Sequence, residues 1–516
     1  MSEESGKHEY RVYKERWFIL VATATLIWSN ITVYKERWFI LVATATLIWS
    51  NITQWVGFSA QIDQTNMFFC GPEGFSDCTA AFLSNQIYQI VAVIVSIIGM
   101  YFATVFGILP TLRLAAVLNI LGATIRLISS IPSLESFFVR QSLMLVGTSI
   151  SAAAQMYFVV FSKIAESWFF PKHRASANMY FVVFSKIAES WFFPKHRASA
   201  NVACSNSLQL GIVVGTFLPS IIIPSSFTIS IISSWSFFYL NSIMAVLCLV
   251  PLFLLFFLCR RSVPLTPPSP SSQHESSIPV TMGIWKCLKD RQFLVQIIVY
   301  SINFSIANGI IYTSNIIKYQ GYNLKGYPIS IATFVCMFAA YFVGIVADRT
   351  RKFRTIALIN VIVIAVSVVC LRLYLIKEYS GWYDSVIVCL LMSVIMSCNA
   401  IHTPIGNEMG VETTYPVQES ISTGVLNTFG QTWLFSLYFI LYALQDSHWV
   451  YRNKGHGGGS WELSLDFWAA LSVLNALLAL LFLRPRYNRL RMEEEEEEAQ
   501  RKERSVRDSV STICKY

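Results

Sequence analysis

The chain has 516 residues, of which 54% are hydrophobic and only 13% are charged, and its mean hydropathy is +0.51. Water-soluble domains carry about a quarter charged residues, so the composition excludes an ordinary soluble protein and predicts an all-α polytopic membrane protein. The net charge of +9 comes largely from Lys and Arg in short loops between apolar segments, which indicates membrane topology and argues against nucleic-acid binding.

Two segments of the chain occur twice in tandem without a single change. Residues 12–32 recur at 33–53, and residues 156–178 recur at 179–201. Internal repeats of transporters are long and divergent, and solenoid repeats need three or more copies to build a core. We therefore interpret the copies as a gene-model artefact, with a recent genuine duplication as the alternative, and count one copy of each pair.

Apolar runs of membrane-spanning length follow one another along the rest of the chain. A spanning helix needs about 20 mostly apolar residues. The runs lie at 38–59, 83–107, 111–131, 138–162, 202–224, 235–258, 293–315, 327–347, 355–376, 383–404, 420–445 and 464–483. These runs predict 12 transmembrane helices in two six-helix halves, 37–258 and 293–484, joined by a Pro- and Ser-rich linker at 259–292.

The distribution of Lys and Arg predicts how the chain is oriented. Most of these residues fall on one side of the predicted spans, which the positive-inside rule assigns to the cytosol together with both termini and the linker. We expect a cytosolic segment at 1–36 with the spare copy of the first helix, a duplicated piece at 179–201 in the loop after the fourth helix, and a charged tail at 485–516. The plasma membrane is the expected location.

The first predicted outer loop contains Cys70 and Cys78. An oxidising compartment and the short spacing favour a small disulfide. Two free thiols in the loop are the alternative.

Six plus six helices with a cytosolic linker resemble the architecture of the major facilitator superfamily. After Gly344, the residues Asp348, Arg349, Arg351 and Lys352 resemble the acidic–basic motif that follows the eighth helix in that superfamily. The resemblance implies a role for these four residues at the inner gate. The matching loop of the first half, 107–113, lacks the acidic residue, which puts its usual ion pair in doubt.

Further stretches resemble the feline leukaemia virus subgroup C receptor-related transporters. They are 162–165, 168–169 and 171–172 after the fourth helix, Asn119, 121–123 and Arg126 in the third, 209–211 in the fifth, and Glu412, 414–416, Gly424, 426–427 and Gln431 around the eleventh. The resemblance implies transport of choline-type quaternary ammonium solutes, and some members are also described as haem exporters.

The same resemblance implies a solute site. It assigns Trp55 and Tyr312 to an aromatic cage, and Gln155 and Gln431 to polar contacts. No Asp or Glu lies near the middle of a predicted span, but cation–π attraction of about 0.5–2 kcal/mol per contact suits a cation that has no N–H to donate. In the alternative interpretation the aromatics only pack the core and the glutamines only tie helices together.

The missing central carboxylates also favour facilitative transport by alternating access, without proton coupling, for a small organic cation such as choline or ethanolamine. Haem export is the first alternative, with His448 and His456 in an outer loop as candidate haem contacts. A non-transporting membrane receptor is the second. The sequence predicts no enzymatic activity, no cofactor and no metal site, and a monomer whose partners are the lipid bilayer and a small-molecule solute.

Overall fold

The computed structural model describes residues 39–40, 42–71, 78–159, 198–223, 231–260, 279–319, 327–350, 352–377, 381–444, 462–489, 491–492 and 495. Every regular element within these ranges is helical. The predicted segment 1–36, residues 179–197 of the second duplicated piece and most of the tail lie outside the described residues, and the last four residues of that piece, 198–201, belong to a helix. What the sequence predicts for these segments therefore stays a prediction.

The first half contains α1 to α7. They are α1 (42–57), α2 (Ile62–Cys70), α3 (Ala80–Val105), α4 (Ile108–Ser129), α5 (Phe137–Ala153, continued by a 3-10 segment at Ala154–Val159), α6 (Ala198–Ile222) and α7 (Ile231–Phe253, continued by a π-helical segment at Leu254–Leu258). The short helix α8 (Val280–Lys289) follows the linker. The second half contains α9 (Arg291–Tyr319), α10 (Tyr327–Thr350), α11 (Phe353–Tyr374), α12 (Trp382–Thr414), α13 (Glu419–Leu444) and α14 (Glu462–Phe482).

Each predicted span overlaps one of these long helices. Among the described residues, 7 helices are long and apolar enough to cross a membrane. The all-α, polytopic prediction is therefore confirmed, while the full count of 12 crossings stays a prediction. Two short helices, α2 and α8, do not appear in the sequence prediction because each is shorter than a membrane span.

The helices turn apolar side chains outward and polar side chains inward. On α3, Ile94, Ile98 and Tyr101 are exposed, whereas Gln89 and Ser96 are buried. A helix surrounded by lipid gains nothing from burying its apolar face, and polar groups in lipid are costly. This distribution is therefore the one expected for a bundle in a membrane.

Helix α12, which contains the tenth predicted span, is longer than the sequence predicts. It spans 33 residues and ends at Thr414, whereas the apolar run ends at 404. A helix of that length measures about 50 Å, against a hydrocarbon core of about 30 Å, so its last turns extend beyond the bilayer. Hydropathy locates the apolar part of such a helix and not its polar extension.

The two halves meet mainly along α3 with α13 and along α6 with α10. At the beginning of α3, the Phe82 ring stacks on the Tyr442 ring with 4.6 Å between centroids. Near the other end of α3, Met100 packs on Gly424 so closely that an added Cβ would lie 2.4 Å from its Cγ. The halves are thus in contact at both ends of this helix pair.

The short helix α2 packs against α3 and α5 at the end of the first half where α3 begins. A disulfide joins Cys70, the last residue of α2, to Cys78 ahead of α3. The Asn66 side chain donates to the Cys78 carbonyl oxygen at 2.9 Å and accepts from the Ala81 backbone N–H at 3.0 Å. Together these bonds fix the α2 helix to the start of α3.

Candidate functional site

Trp55 lies in the last turn of α1 and is buried, with 7% of its surface exposed. Its indole N–H donates to the Asn85 side-chain oxygen on α3 at 2.5 Å. One turn along α3, the Tyr88 ring stacks on the indole with 6.1 Å between centroids. The indole N–H of the tryptophan therefore has an amide as its hydrogen-bond partner, and the face of the indole packs against a second aromatic ring.

Asn51, one helical turn before Trp55, fixes the rotation of α1. Its side-chain N–H donates to Asn119 on α4 at 2.8 Å and to the Ser151 carbonyl on α5 at 2.8 Å. Its side-chain oxygen accepts from the hydroxyls of Tyr88 and Tyr157. This amide thus joins α1 to three other elements, and rotating α1 would break all of these bonds.

Gln54, the neighbour of Trp55, is a structural residue of the first half. Its side-chain N–H donates to the Asn119 oxygen at 2.9 Å, and its side-chain oxygen accepts from the Ser151 hydroxyl at 2.7 Å. Both ends of the amide are therefore occupied by neighbouring helices. Gln54 and Trp55 are both buried, but their side chains have different hydrogen-bond partners.

Gln155 and Gln431 each keep one amide oxygen unused. Gln155, in the 3-10 segment after α5, hydrogen-bonds the Tyr88 hydroxyl, and its oxygen has no hydrogen-bond partner in the described part of the chain. The same is true of the Gln431 oxygen on α13. The 3-10 segment packs against both α3 and α13. The fold thus brings Trp55, Tyr88 and Gln155 into one connected group, and the element that carries Gln431 adjoins it.

Asn85 extends this group across the boundary between the halves. Besides accepting from Trp55, it hydrogen-bonds the hydroxyl of Tyr438 on α13. The Tyr438 hydroxyl in turn donates to the Asn308 carbonyl oxygen on α9 at 3.1 Å. Since that hydroxyl has only one proton, Asn85 must donate its N–H to the phenol oxygen. A continuous polar path therefore leads from Trp55 to α9.

Sequence reasoning missed Asn85, Tyr88 and Tyr438. The sequence does contain a signal for Asn85. Inside the apolar span 83–107, a stretch of five residues carries three amide side chains, those of Asn85, Gln86 and Gln89. Such groups are costly in lipid and indicate an inward face. Both amide atoms of buried Gln86 also lack a partner among the described residues. No sequence pattern indicates Tyr438, whose role depends on how the halves meet.

The other predicted site residues are described only in part. Tyr312 lies on α9, and its side chain is outside the described part of the structure. Asp348 and Arg349 lie in the last turn of α10 with their side chains likewise outside the described part, and Arg351 is outside it altogether. Lys352 is exposed at the start of α11. The second cage aromatic and the inner-gate motif therefore stay predictions.

A buried cluster of charges lies where α12 extends beyond the membrane. Arg489, in the segment after α14, binds Glu408 at 2.8 Å and Glu412 at 2.7 Å. All three side chains are more than 90% buried. The Asn488 side chain also donates to the Thr413 carbonyl at 3.0 Å. Arg489 lies far from both glutamates in the sequence, so no local sequence motif predicts this contact.

Arg126 on α4 is a buried cation held without a carboxylate in its described contacts. It is 1% exposed, donates to the Gln54 carbonyl oxygen at 2.7 Å, and lies over the Phe58 ring at 4.1 Å. The carbonyls in the last turn of a helix lack N–H partners and sit at the negative end of the helix dipole. The guanidinium therefore completes the end of α1 beside Trp55.

Two further arginines bind helix ends in the same way. Arg113 donates to the Cys259 carbonyl at the end of α7 at 2.9 Å, with the Phe256 ring 5.3 Å away. Arg140 donates to the Phe68 carbonyl in α2 at 3.1 Å and lies over the ring of the same residue at 4.5 Å. Arg113, the basic residue of the loop that lacks the acid, thus binds a helix end inside the first half.

One cavity in the described part of the second half is too small for an organic solute. It measures about 10 Å³ and is lined by Gln296, Asn360 and His402 among others, and that volume holds about one water molecule. The His402 Nε2 atom lies 3.0 Å from the Tyr300 carbonyl oxygen. Because a carbonyl only accepts, this nitrogen carries the proton.

Comparison with known proteins agrees with this architecture. A family profile described as Major Facilitator Superfamily matches residues 175–438, just over half of the chain. The chain is 24% identical over 505 residues to solute carrier family 49 member A3 of Xenopus tropicalis, covering 95% of this chain and 91% of that protein. It is 25% identical over 410 residues to the choline/ethanolamine transporter FLVCR2 of Rattus norvegicus, covering 74% of this chain and 64% of that protein.

Solved structures show the same fold at low sequence identity. The proton:xylose symporter XylE bound to 6-bromo-6-deoxy-D-glucose superposes with a TM-score of 0.65 and 12% identity, over 88% of this chain and 97% of that one. The fucose:proton symporter FucP of E. coli gives 0.55 and 12%, over 86% and 98%. By profile and by fold the chain belongs to the Major Facilitator Superfamily, with the feline leukaemia virus subgroup C receptor-related transporters among its relatives.

Proposed function

We propose that the protein is a facilitative transporter of a small organic cation of the choline or ethanolamine type, with Trp55, Gln155, Tyr312 and Gln431 as solute contacts. The observation that carries the proposal is the buried group around Trp55. It combines stacked aromatic rings with an unused amide oxygen on Gln155. An aromatic face and a carbonyl-type oxygen both attract a cation without needing a charged partner.

The residues around Trp55 would bind the quaternary ammonium of choline and the primary ammonium of ethanolamine in different ways. A quaternary ammonium has no N–H, so its binding depends on the aromatic faces, at about 0.5–2 kcal/mol per contact. A primary ammonium can also donate hydrogen bonds to the amide oxygens of Gln155 and Gln431. The aromatic residues therefore matter for both solutes, and the glutamines matter more for ethanolamine.

Alternating access requires the contacts between the halves to break at one end at a time. Opening the outer end separates Phe82 from Tyr442, and opening the inner end separates Met100 from Gly424. The path from Trp55 through Asn85 to Tyr438 crosses the same boundary. Rocking of two rigid halves around a site near the midplane is the movement that these contacts support.

We infer gradient-driven transport because the polar side chains described around Trp55 are the Asn85 amide, the Tyr88 phenol and the Arg126 guanidinium. Such groups do not change protonation near neutral pH. We further propose a monomer in the plasma membrane with cytosolic termini. Haem export stays the alternative function, and its candidate contacts His448 and His456 lie outside the described residues.

Uptake of labelled solutes into proteoliposomes that contain the purified protein tests the proposal. We expect choline or ethanolamine to enter faster than into protein-free liposomes, at a rate that an imposed pH gradient leaves unchanged. Uptake that requires the pH gradient would contradict the facilitative mode. Transport of haem with no entry of either amine would favour the alternative.

A further inference from the structure

The short helix α8 has one face buried in the protein and one exposed face. Its buried face carries Gly283 and Cys287. A Cβ on Gly283 would lie 2.7 Å from the Cδ1 atom of Ile421 on α13. Burial also raises the pKa of the Cys287 thiol to about 11. The inner face is therefore closely packed, and α8 is a fixed part of the second half.

The exposed face of α8 combines large apolar side chains with lysines. Met282 is 54% exposed and Trp285 is 63% exposed, and Lys286 and Lys289 are exposed beside them. The Lys289 ammonium lies 5.8 Å from the centre of the Trp285 ring. Amphipathic aromatics and lysines of this kind are typical of the boundary between lipid and water.

The two lysines have no ion-pair partner among the described residues. The nearest carboxylate in sequence, Asp290, is occupied elsewhere. Its Oδ1 atom accepts from the backbone N–H groups of Gln292 at 2.8 Å and of Phe293 at 3.1 Å, which caps the start of α9. The positive charge of α8 is therefore available to an external anion.

The position of α8 brings this charge to the edge of the bilayer. The helix leads directly into α9, whose exposed Leu294 and Ile298 belong to the apolar outer surface of the bundle. The apolar outer surface of the bundle continues into exposed Met282 and Trp285. As a binding partner of α8, a lipid therefore fits better than an acidic protein segment.

We propose that the exposed face of α8 binds the head groups of anionic phospholipids, with Lys286 and Lys289 at the phosphate and Met282 and Trp285 in the interfacial layer. Because α8 packs on α9 and α13 of the second half and on α3 of the first, the proposed lipid site lies on a helix that contacts both halves. The proposal does not depend on which solute the protein carries.

Thermal unfolding of the purified full-length chain in mixed micelles tests the lipid site. We expect added phosphatidylserine to raise the unfolding temperature more than phosphatidylcholine does, and high salt to reduce the difference. In the Lys286→Gln/Lys289→Gln variant more than half of this difference should be lost, with the lipid-free unfolding temperature unchanged because both side chains are exposed. Arg484→Gln, which removes another exposed positive charge, should keep the difference.

A second measurement tests the position of Trp285 by fluorescence quenching. In vesicles that contain lipids with a quencher at the head-group level, replacing Trp285 with Phe should remove a quenched part of the fluorescence. Equal stabilisation of the wild type and the double lysine variant by phosphatidylserine would overturn the proposal. So would an effect of phosphatidylserine that appears only when residues Glu493–Glu498 are replaced by Gln, since the lysines of the wild type would then bind the acidic tail of the same chain.

Discussion

Arg126 donates a hydrogen bond of 2.7 Å to the carbonyl oxygen of Gln54, the residue immediately before Trp55. The bond attaches α4 to the last turn of α1, and the Phe58 ring covers the other side of the guanidinium. The arginine therefore holds the end of α1, which carries Trp55, against α4. We expect the position of the proposed cation contact to depend on this bond.

Replacing Arg126 with Met should lower uptake of the solute about tenfold. The Gln54 carbonyl loses its charged donor, which costs about 1–3 kcal/mol, and tenfold corresponds to about 1.4 kcal/mol. Arg126→Lys should recover part of the activity because an ammonium can still donate to the carbonyl. The measurement is initial uptake at several solute concentrations, with the amount of folded protein matched. A Met variant with wild-type uptake would contradict the positioning role.

The hydrogen bond between Trp55 and Asn85 can be measured as a coupling energy. We expect a double-mutant cycle with Trp55→Phe and Asn85→Ala to give about 1 kcal/mol in the apparent solute affinity, because either change alone removes the same bond. Additive effects would mean that the bond contributes nothing to solute binding. The Tyr438→Phe variant is the control for the second bond of Asn85.

Ethanolamine and choline should respond differently to the two glutamines. In Gln155→Leu and Gln431→Leu variants, ethanolamine uptake should fall about tenfold and choline uptake about threefold or less, since only the primary ammonium donates hydrogen bonds. Competition between the two labelled solutes in one preparation measures the ratio directly. A larger loss for choline would contradict the assigned roles.

Removing Arg489 should destabilise the second half strongly. The Arg489→Met variant leaves Glu408 and Glu412 buried without their cation, which costs about 3–5 kcal/mol. Adding Glu408→Gln and Glu412→Gln should restore most of the loss because neutral amides need no counter-charge. Thermal unfolding of the purified variants is the measurement. A triple variant that is less stable than Arg489→Met would be inconsistent with this explanation.

The sequence predicted the helices well because hydropathy is a local property. About 20 apolar residues in a row must cross a bilayer whatever surrounds them, so each run recurs as a long helix. Trp55 was identified by resemblance and lies in the buried polar group around Asn85 and Tyr88. Asn85 carried a local signal too, since an amide inside an apolar span must face inward.

The remaining contacts join residues that are distant in the chain. Arg489 meets Glu408 across 81 positions, and Tyr438 meets Asn308 across 130. The sequence does not show what Arg113, Arg126 and Arg140 bind. In the structure each lies at the carbonyl end of a helix, and helix ends pair only when the bundle is assembled.

Choline uptake into proteoliposomes by Trp55 variants tests the central claim most directly. At matched protein content and without a pH gradient, Trp55→Ala should lower choline uptake at least tenfold, and Trp55→Phe should retain an intermediate rate because a smaller aromatic face remains. The control Trp382→Ala removes a tryptophan that is 63% exposed and should transport like the wild type. Choline uptake by Trp55→Ala equal to that of the wild type and the control would contradict a cation site built on this residue.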